Sequence, residues 1–136
     1  MNPHIHRWHD IVKSRDLRAL GDLLDETVVF HSPVVHSPQN GKALTTMYLA
    51  GALQVLGSEH FRYVREIGND TDVVLEFETT VDGIHVNGVD LIRFNDQGRI
   101  IDFKVMLRPY KALDAVKQRM AALLQAFQAG SIKAAP

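Results

Sequence analysis

The sequence predicts an α+β fold, in which a curved antiparallel sheet packs on N-terminal helices and is followed by an additional C-terminal helix. Three observations support this prediction. Apolar residues recur mainly at helical spacing before residue 57, the hydrophobic period changes to two between His60 and Arg108, and helical spacing returns after Pro109. Helices followed by consecutive strands with short turns are typical of helices packed on one face of an antiparallel sheet.

The N-terminal part is expected to hold three helices. Apolar side chains spaced by three or four residues predict helices over about residues 5–12, 17–24 and 44–55. Asp16 is the expected N-cap of the second helix, and Gly57 is expected to end the third.

The first strand is predicted between the second and third helices. Residues 27–32 are rich in β-branched and aromatic side chains, and Pro33 stops this run. Residues 37–41 have the composition of a turn.

Four further strands are predicted after the third helix. Alternating hydrophobicity indicates strands over residues 60–67, 73–81, 85–94 and 99–108. Because short turns join them, these strands should form an antiparallel meander. An amphipathic helix is predicted from Pro109 to Phe127 and would end at Gly130; it either caps the sheet or extends a dimer.

Length and composition indicate one globular domain of the soluble class. The chain has 136 residues, 46% of them hydrophobic and 23% charged, and we expect a single domain over 1–130 with a disordered tail over 131–136. Lys+Arg 15 against Asp+Glu 16 leaves no basic surplus for nucleic acid. The first residues lack the apolar core of a signal peptide, and no apolar run approaches the roughly 20 residues that span a bilayer. A cytoplasmic protein without nucleic-acid or membrane partners is expected.

Asp90 is the most informative single residue. Strand alternation places it on the same apolar face as Val86, Ile92 and Phe94. A carboxylate on that face loses hydration, so its pKa should rise, and a neutral carboxylic acid can donate a hydrogen bond to a ligand oxygen. The alternative is a structural aspartate that bonds to a backbone amide or an arginine.

Histidines and serines give weaker signals. None of the seven histidines forms the spacing of a helical zinc site, and the chain has no cysteine, so we expect neither a metal nor a cofactor. His31 and His36 lie five residues apart and could exchange protons near a cleft. Ser32 is not within the Gly-x-Ser-x-Gly pattern that exposes a serine nucleophile.

An apolar cavity between the sheet and the helices is also expected. A concave sheet covered by helices is not always filled by its own side chains, and an apolar cavity with one or two polar groups can bind a small molecule. If these residues do more than pack in the core, the lining would comprise Trp8, Phe30, Phe77, Phe103, Val105 and Leu107.

The order of elements and two segments together resemble a known superfamily. The strand end Phe30–Pro33 followed by Gly41, and the segment Val89–Asn95 before a glycine turn, are similar to the nuclear transport factor 2-like superfamily. This superfamily includes the SnoaL-like cyclases and the ketosteroid isomerases. The resemblance covers about residues 5–108 and implies a cone-shaped, curved sheet.

Comparison with the ketosteroid isomerase pattern leaves one of three catalytic positions intact. The isomerases use a tyrosine on the first helix, where this chain has Trp8, and an aspartate base before a proline, where it has Ser32 before Pro33. Asp90 matches their protonated aspartate. A serine hydroxyl cannot accept a proton from carbon unaided, so the resemblance disfavours a true ketosteroid isomerase.

Three functions therefore compete. The first is a binding module for a small, mainly apolar molecule, in which Trp8, Ser32 and Asp90 are the polar contacts. Ser32 is included because strand alternation turns Phe30 and Ser32 towards the cavity. The second is an isomerase-, cyclase- or dehydratase-type enzyme that uses Asp90 as acid and His36 as base. The third is a non-catalytic interaction domain. A homodimer is expected through the outer sheet face, which carries Val89, Leu91 and Met106 among Arg93, Lys104 and Arg108.

Overall fold

The computed structural model describes residues 2–128 and confirms the α+β prediction. Within that range there are four helices and six strands, in the order α1 (Ile5–Ser14), α2 (Leu17–Leu23), β1 (Leu24–His31), β2 (Gln39–Asn40), α3 (Lys42–Leu56), β3 (Arg62–Gly68), β4 (Asp72–Val81), β5 (Ile84–Phe94), β6 (Ile100–Arg108) and α4 (Tyr110–Gln128). None of the described helices is long and apolar enough to cross a membrane. Gly130 and the predicted tail lie outside the described residues.

The strands form one curved sheet in the order β2-β1-β6-β5-β4-β3. Strands β3 to β6 are the predicted antiparallel meander, and β1 joins it in parallel beside β6. The segment predicted as a turn includes the short strand β2, which pairs antiparallel with β1 through Asn40 and Val29. It does so because Gly41, at φ 98°, lets the chain fold back and donates its N–H to the Val28 carbonyl.

The central strands alternate as predicted. In β4 every second residue from Val73 to Val81 is buried, and in β5 every second residue from Val86 to Phe94 is buried. Asp90 belongs to this buried row, so the face assigned to it from the sequence is correct. Its carboxyl group points into the interior between the sheet and the helices.

Edge strand β3 departs from simple alternation. Its pairing with β4 shifts register between Tyr63 and Arg65, which turns Tyr63 inward and leaves Arg65 exposed. Ile67 at the end of the strand is 58% exposed. The irregularity follows from the position of β3, because one side of an edge strand has no neighbour that would fix its register.

The helices cover the concave side and join one apolar core. Asp16 caps α2 as predicted, its Oδ1 accepting from the N–H groups of Arg18 and Ala19. Helix α4 is docked rather than free, since Ala112 is fully buried and Val116 is 4% exposed. It packs on α3 and on strands β4 to β6.

Candidate functional site

A chain of two hydrogen bonds links three elements in the interior. Tyr63 on β3 donates its hydroxyl to Asp90 Oδ2 on β5 over 2.8 Å. Trp8 on α1 donates its indole N–H to the same Tyr63 oxygen over 3.0 Å. The chain fixes the phenol from both sides and holds α1 against the sheet.

The second carboxyl oxygen of Asp90, Oδ1, makes no hydrogen bond with the described residues, 2–128. In the described part of the chain, Thr45 Oγ1 is the only side-chain polar atom that is both inaccessible and without a hydrogen-bond partner. Asp90 Oδ1 also lacks a partner, so it must be accessible, and the adjoining cavity provides that access.

Burial shifts the proton equilibria of both acids. Loss of hydration raises the pKa of Asp90 from 3.8 to about 7, and the hydrogen bond from Tyr63 opposes this shift. Burial, with the nearby Asp90 charge, raises the pKa of Tyr63 well above its ordinary value. Near neutral pH the site thus holds a neutral phenol and a carboxyl group that readily gains or loses a proton.

The free carboxyl oxygen lies beside a narrow apolar cavity, named here the cone cavity, with a volume of about 40 Å³. A cavity needs roughly 10–15 Å³ to hold one water molecule, so this cavity as it stands accommodates only a few atoms. Half-buried Val12, Ala52 and Gly57 line it, so it reaches the surface between α1 and the end of α3. The other lining residues are Trp8, Leu49, Leu53, Leu56, Phe61, Tyr63, Phe77, Asp90, Phe103 and Val105.

Five of the residues proposed from the sequence line the cone cavity. They are Trp8, Phe77, Asp90, Phe103 and Val105. Sequence reasoning missed Tyr63 as a site residue. The available signal was its inward position two residues after Phe61, but local periodicity does not show that its hydroxyl reaches a carboxylate two strands away.

Phe30 lies elsewhere than predicted. It is 3% exposed and packs in the core, stacked on Tyr48 with ring centroids 5.6 Å apart. Its ring also contacts Phe103, at 6.2 Å between centroids. Because these neighbours fill the space around it, Phe30 supports the cavity wall and does not line the cavity.

The prediction that Ser32 faces the cavity with Asp90 is also corrected. Ser32, His36 and Leu107 line a separate pocket, named here the β1-end pocket. Strand β1 stops at His31, and Ser32 Oγ accepts the N–H groups of Val34 and Val35 in a turn that leads the chain away from the cone. Among the described residues, Val105 alone lines both spaces.

No metal centre is assembled in the described part of the chain. No group of three or more His, Asp or Glu side chains there is arranged to hold an ion. His31 instead lies 3.1 Å from Asp102 Oδ2, and His9 lies 2.8 Å from Glu66 Oε1.

Comparison with known proteins identifies the family. A model of the SnoaL-like domain matches residues 5–103. The chain belongs to the SnoaL-like domain family. The resemblance to the nuclear transport factor 2-like superfamily is thereby confirmed, whereas none of the curated proteins matches this SnoaL-like domain.

Several solved structures are similar to this SnoaL-like domain. A steroid delta-isomerase from Pseudomonas aeruginosa is 39% identical with a TM-score of 0.87, over 93% of this chain and 92% of that one. An uncharacterized bacterial protein with a cystatin-like fold from Silicibacter pomeroyi is 37% identical with a TM-score of 0.85, over 92% and 87%. A SnoaL-like protein of unknown function from Burkholderia thailandensis, 16% identical with a TM-score of 0.62 over 76% and 91%, shares the fold.

Proposed function

We propose that this SnoaL-like domain binds a small, mainly apolar molecule with one hydrogen-bonding oxygen in the cone cavity. The observation that carries the proposal is the free oxygen of Asp90 in a cavity whose described lining is otherwise apolar apart from Trp8 and Tyr63. A buried polar group without a partner gains from a ligand that supplies one. The surrounding apolar walls favour the remainder of such a ligand.

The protonation state of Asp90 determines which kind of ligand oxygen can form a hydrogen bond with it. Neutral Asp90 donates a hydrogen bond to a carbonyl or phenol oxygen, whereas ionised Asp90 accepts one from a phenol only. Because the pKa of Asp90 is about 7, a ketone should bind better below that pH, and a phenol should bind on both sides of it. The small volume favours a single ring over a steroid, and a ring enters fully only when lining side chains such as Phe61 or Leu53 move aside.

Ligand binding tests the proposal directly. We expect phenol to raise the melting temperature and to shift the NMR resonance of the Trp8 indole N–H, which is unique because the chain has one tryptophan. A hundredfold excess over the dissociation constant stabilises a folded protein by about 2.7 kcal/mol. With cyclohexanone, the rise in melting temperature should be smaller above pH 7 than below it in the wild type. In Asp90→Asn the rise should not depend on pH, because the amide donates a hydrogen bond at every pH.

A matched variant separates the site from a general charge effect. Asp96 lies exposed in the turn between β5 and β6, so Asp96→Asn should bind both probes as the wild type does. Phenol that neither shifts the Trp8 resonance nor raises the melting temperature would overturn the binding proposal. If cyclohexanone binding depends on pH equally in the wild type and in Asp90→Asn, Asp90 is not the group that binds the ligand.

Isomerase-type proton transfer is the second candidate. A pKa of about 7 suits a group that takes a proton from carbon and returns it, and a solved relative 39% identical to this chain is a steroid delta-isomerase. The version with His36 as base has no geometric support, because His36 lines the β1-end pocket. Asp90 would have to carry the proton alone.

A minimal substrate can test this second candidate. Cyclohex-3-enone becomes cyclohex-2-enone when a base removes a proton from the α-carbon and returns one to the γ-carbon, with no other reactant. We expect conversion by the wild type and by Asp96→Asn, and at least roughly a hundredfold loss in Asp90→Asn if Asp90 is the base. Equal rates in Asp90→Asn and the wild type would exclude the mechanism without affecting the binding proposal.

A further inference from the structure

The β1-end pocket lies across Val105 from the cone cavity. It has a volume of about 350 Å³, within the roughly 300–1,000 Å³ typical of small-molecule sites. Its lining differs in kind from that of the cone cavity, since hydrogen-bond donors from Ser32, His36 and Lys104 stand beside aliphatic side chains.

Lys104 brings an uncompensated positive charge to this pocket. It is half-buried, and it makes no ion pair or side-chain hydrogen bond with another described residue. The nearest acid along β6 is Asp102, and the Asp102 carboxylate is 3.1 Å from His31 Nε2. The ammonium group of Lys104 is therefore available to an anion.

Ser32 is prepared to donate as well. Its Oγ accepts the backbone N–H of Val34 over 3.1 Å and that of Val35 over 3.3 Å, which occupies both oxygen lone pairs. The hydroxyl hydrogen has no acceptor among the described residues. A ligand group at Ser32 must therefore accept a hydrogen bond.

Apart from His31, whose ring is paired with Asp102, the remaining wall of the pocket is apolar and includes Met106. Val35 is 44% exposed beside it, and half-buried Leu107 and Leu113 bring side chains from β6 and α4. Inorganic anions gain nothing from such a surface, whereas the chain of an organic acid does. We propose that the β1-end pocket binds a small organic carboxylate with an aliphatic tail, its oxygens accepting from Lys104 and Ser32 and its tail lying on Leu107 and Leu113.

Hexanoate is a suitable probe, followed by NMR of the full chain. It should shift backbone amide resonances of Ser32, of residues 34–36 and of residues 104–107, and leave the Trp8 indole resonance in place. Removing the charge in Lys104→Met should weaken hexanoate about fivefold or more, because charge-assisted hydrogen bonds are the stronger kind. The control Lys117→Met removes an exposed lysine of α4 that does not line the pocket, and should leave affinity unchanged.

A second pair of variants adds charge instead of removing it. Val35→Glu places a carboxylate at the pocket and should abolish measurable hexanoate binding. Val34→Glu is its matched control, since Val34 is 37% exposed in the same turn but does not line the pocket. Both positions are open to solvent, so both variants should fold.

Three outcomes would overturn the proposal. Equal binding of hexanamide and hexanoate would exclude recognition of the charge, and equal binding of acetate and hexanoate would exclude the aliphatic wall. If hexanoate shifts the Trp8 indole resonance and not the amide resonances around Ser32, it binds in the cone cavity. Phenol binding to the cone cavity is independent of all three, so the two proposals fail separately.

Discussion

Tyr63 and Asp90 are joined by a 2.8 Å hydrogen bond although their strands are not neighbours. Both β3 and β5 pair with β4, where Tyr63 stands opposite Phe77 and Asp90 opposite Leu75. The bond therefore passes over the inner face of β4. Curvature of the sheet and the length of the tyrosine side chain bring the two oxygen atoms together.

Removing the phenol oxygen should raise the pKa of Asp90. The hydrogen bond from Tyr63 stabilises the ionised form, so Tyr63→Phe should move the Asp90 titration above the wild-type value of about 7. The variant should also lose about 1–3 kcal/mol of stability at pH 8, because a buried charge loses its partner. Carboxyl-carbon NMR titration and urea unfolding measure the two effects, and an unchanged Asp90 titration would contradict the assigned role of Tyr63.

The elevated pKa of Asp90 also predicts how stability depends on pH. Below about pH 4 the carboxyl group is protonated in both the folded and the unfolded chain and has no net effect. Between 3.8 and about 7 the folded chain retains the proton while the unfolded chain releases it, so stability falls by up to about 1.4 kcal/mol per pH unit. Above about 7 the loss is complete.

Asp90→Asn isolates this contribution. The amide cannot ionise, so the variant should become steadily more stable than the wild type as the pH rises from 4 to 7, with an upper bound on the order of 4 kcal/mol. Urea unfolding of both proteins at intervals of one pH unit measures the difference. Asp96→Asn should follow the wild-type curve, and parallel curves for Asp90→Asn and the wild type would show that Asp90 keeps an ordinary pKa.

The sequence predicted those parts of the site that depend on local periodicity. Asp90 and Phe77 lie in central strands whose two faces alternate without interruption, so their inward orientation followed from spacing alone. Ser32 does not face the cavity as alternation predicts, because β1 ends one residue before it, at His31. The role of Tyr63 depends on a register shift in β3 and on contacts across β4, and neither is encoded in the local pattern.

Two glycines provide opposite tests of packing. A Cβ on Gly88 would lie 2.5 Å from Phe77 Cζ and 2.9 Å from the Met106 carbonyl oxygen, so Gly88→Ala should lose about 1–3 kcal/mol and disturb the cavity wall. A Cβ on Gly21 in α2 meets nothing within 4 Å, so Gly21→Ala should gain about 0.5–1 kcal/mol. Thermal unfolding distinguishes them, and equal melting temperatures would contradict the packing at Gly88.

The docking of α4 is open to a direct test. Leu123 and Met120 pack against α3 at Gly51, where an added Cβ would lie 3.3 Å from Leu123 Cδ2 and 3.1 Å from Met120 Cε. Leu123→Asp should therefore cost about 1–3 kcal/mol. Gln125→Asp changes an exposed position on the same helix and should cost less than about 0.5 kcal/mol. An undocked helix would give both variants the wild-type melting temperature.

The outer sheet face carries an apolar stripe that we propose as a homodimer interface. Val89 pairs with Met106, while Leu91 pairs with Val74, which in turn pairs with Ile67. Directly paired residues share a face, so these side chains are adjacent across four strands. Met106 is 51% exposed and Ile67 58% exposed, so the stripe leaves neighbouring apolar side chains in contact with water.

Met106→Glu should weaken this dimer. A two-fold axis brings the same patch of both subunits together, so one substitution places two carboxylates in the interface and should raise the dissociation constant at least roughly tenfold. Sedimentation at micromolar protein should show a dimer for the wild type and for the control Val34→Glu, and a monomer for Met106→Glu. If the wild type sediments as a monomer throughout a concentration series, the proposed homodimer is wrong.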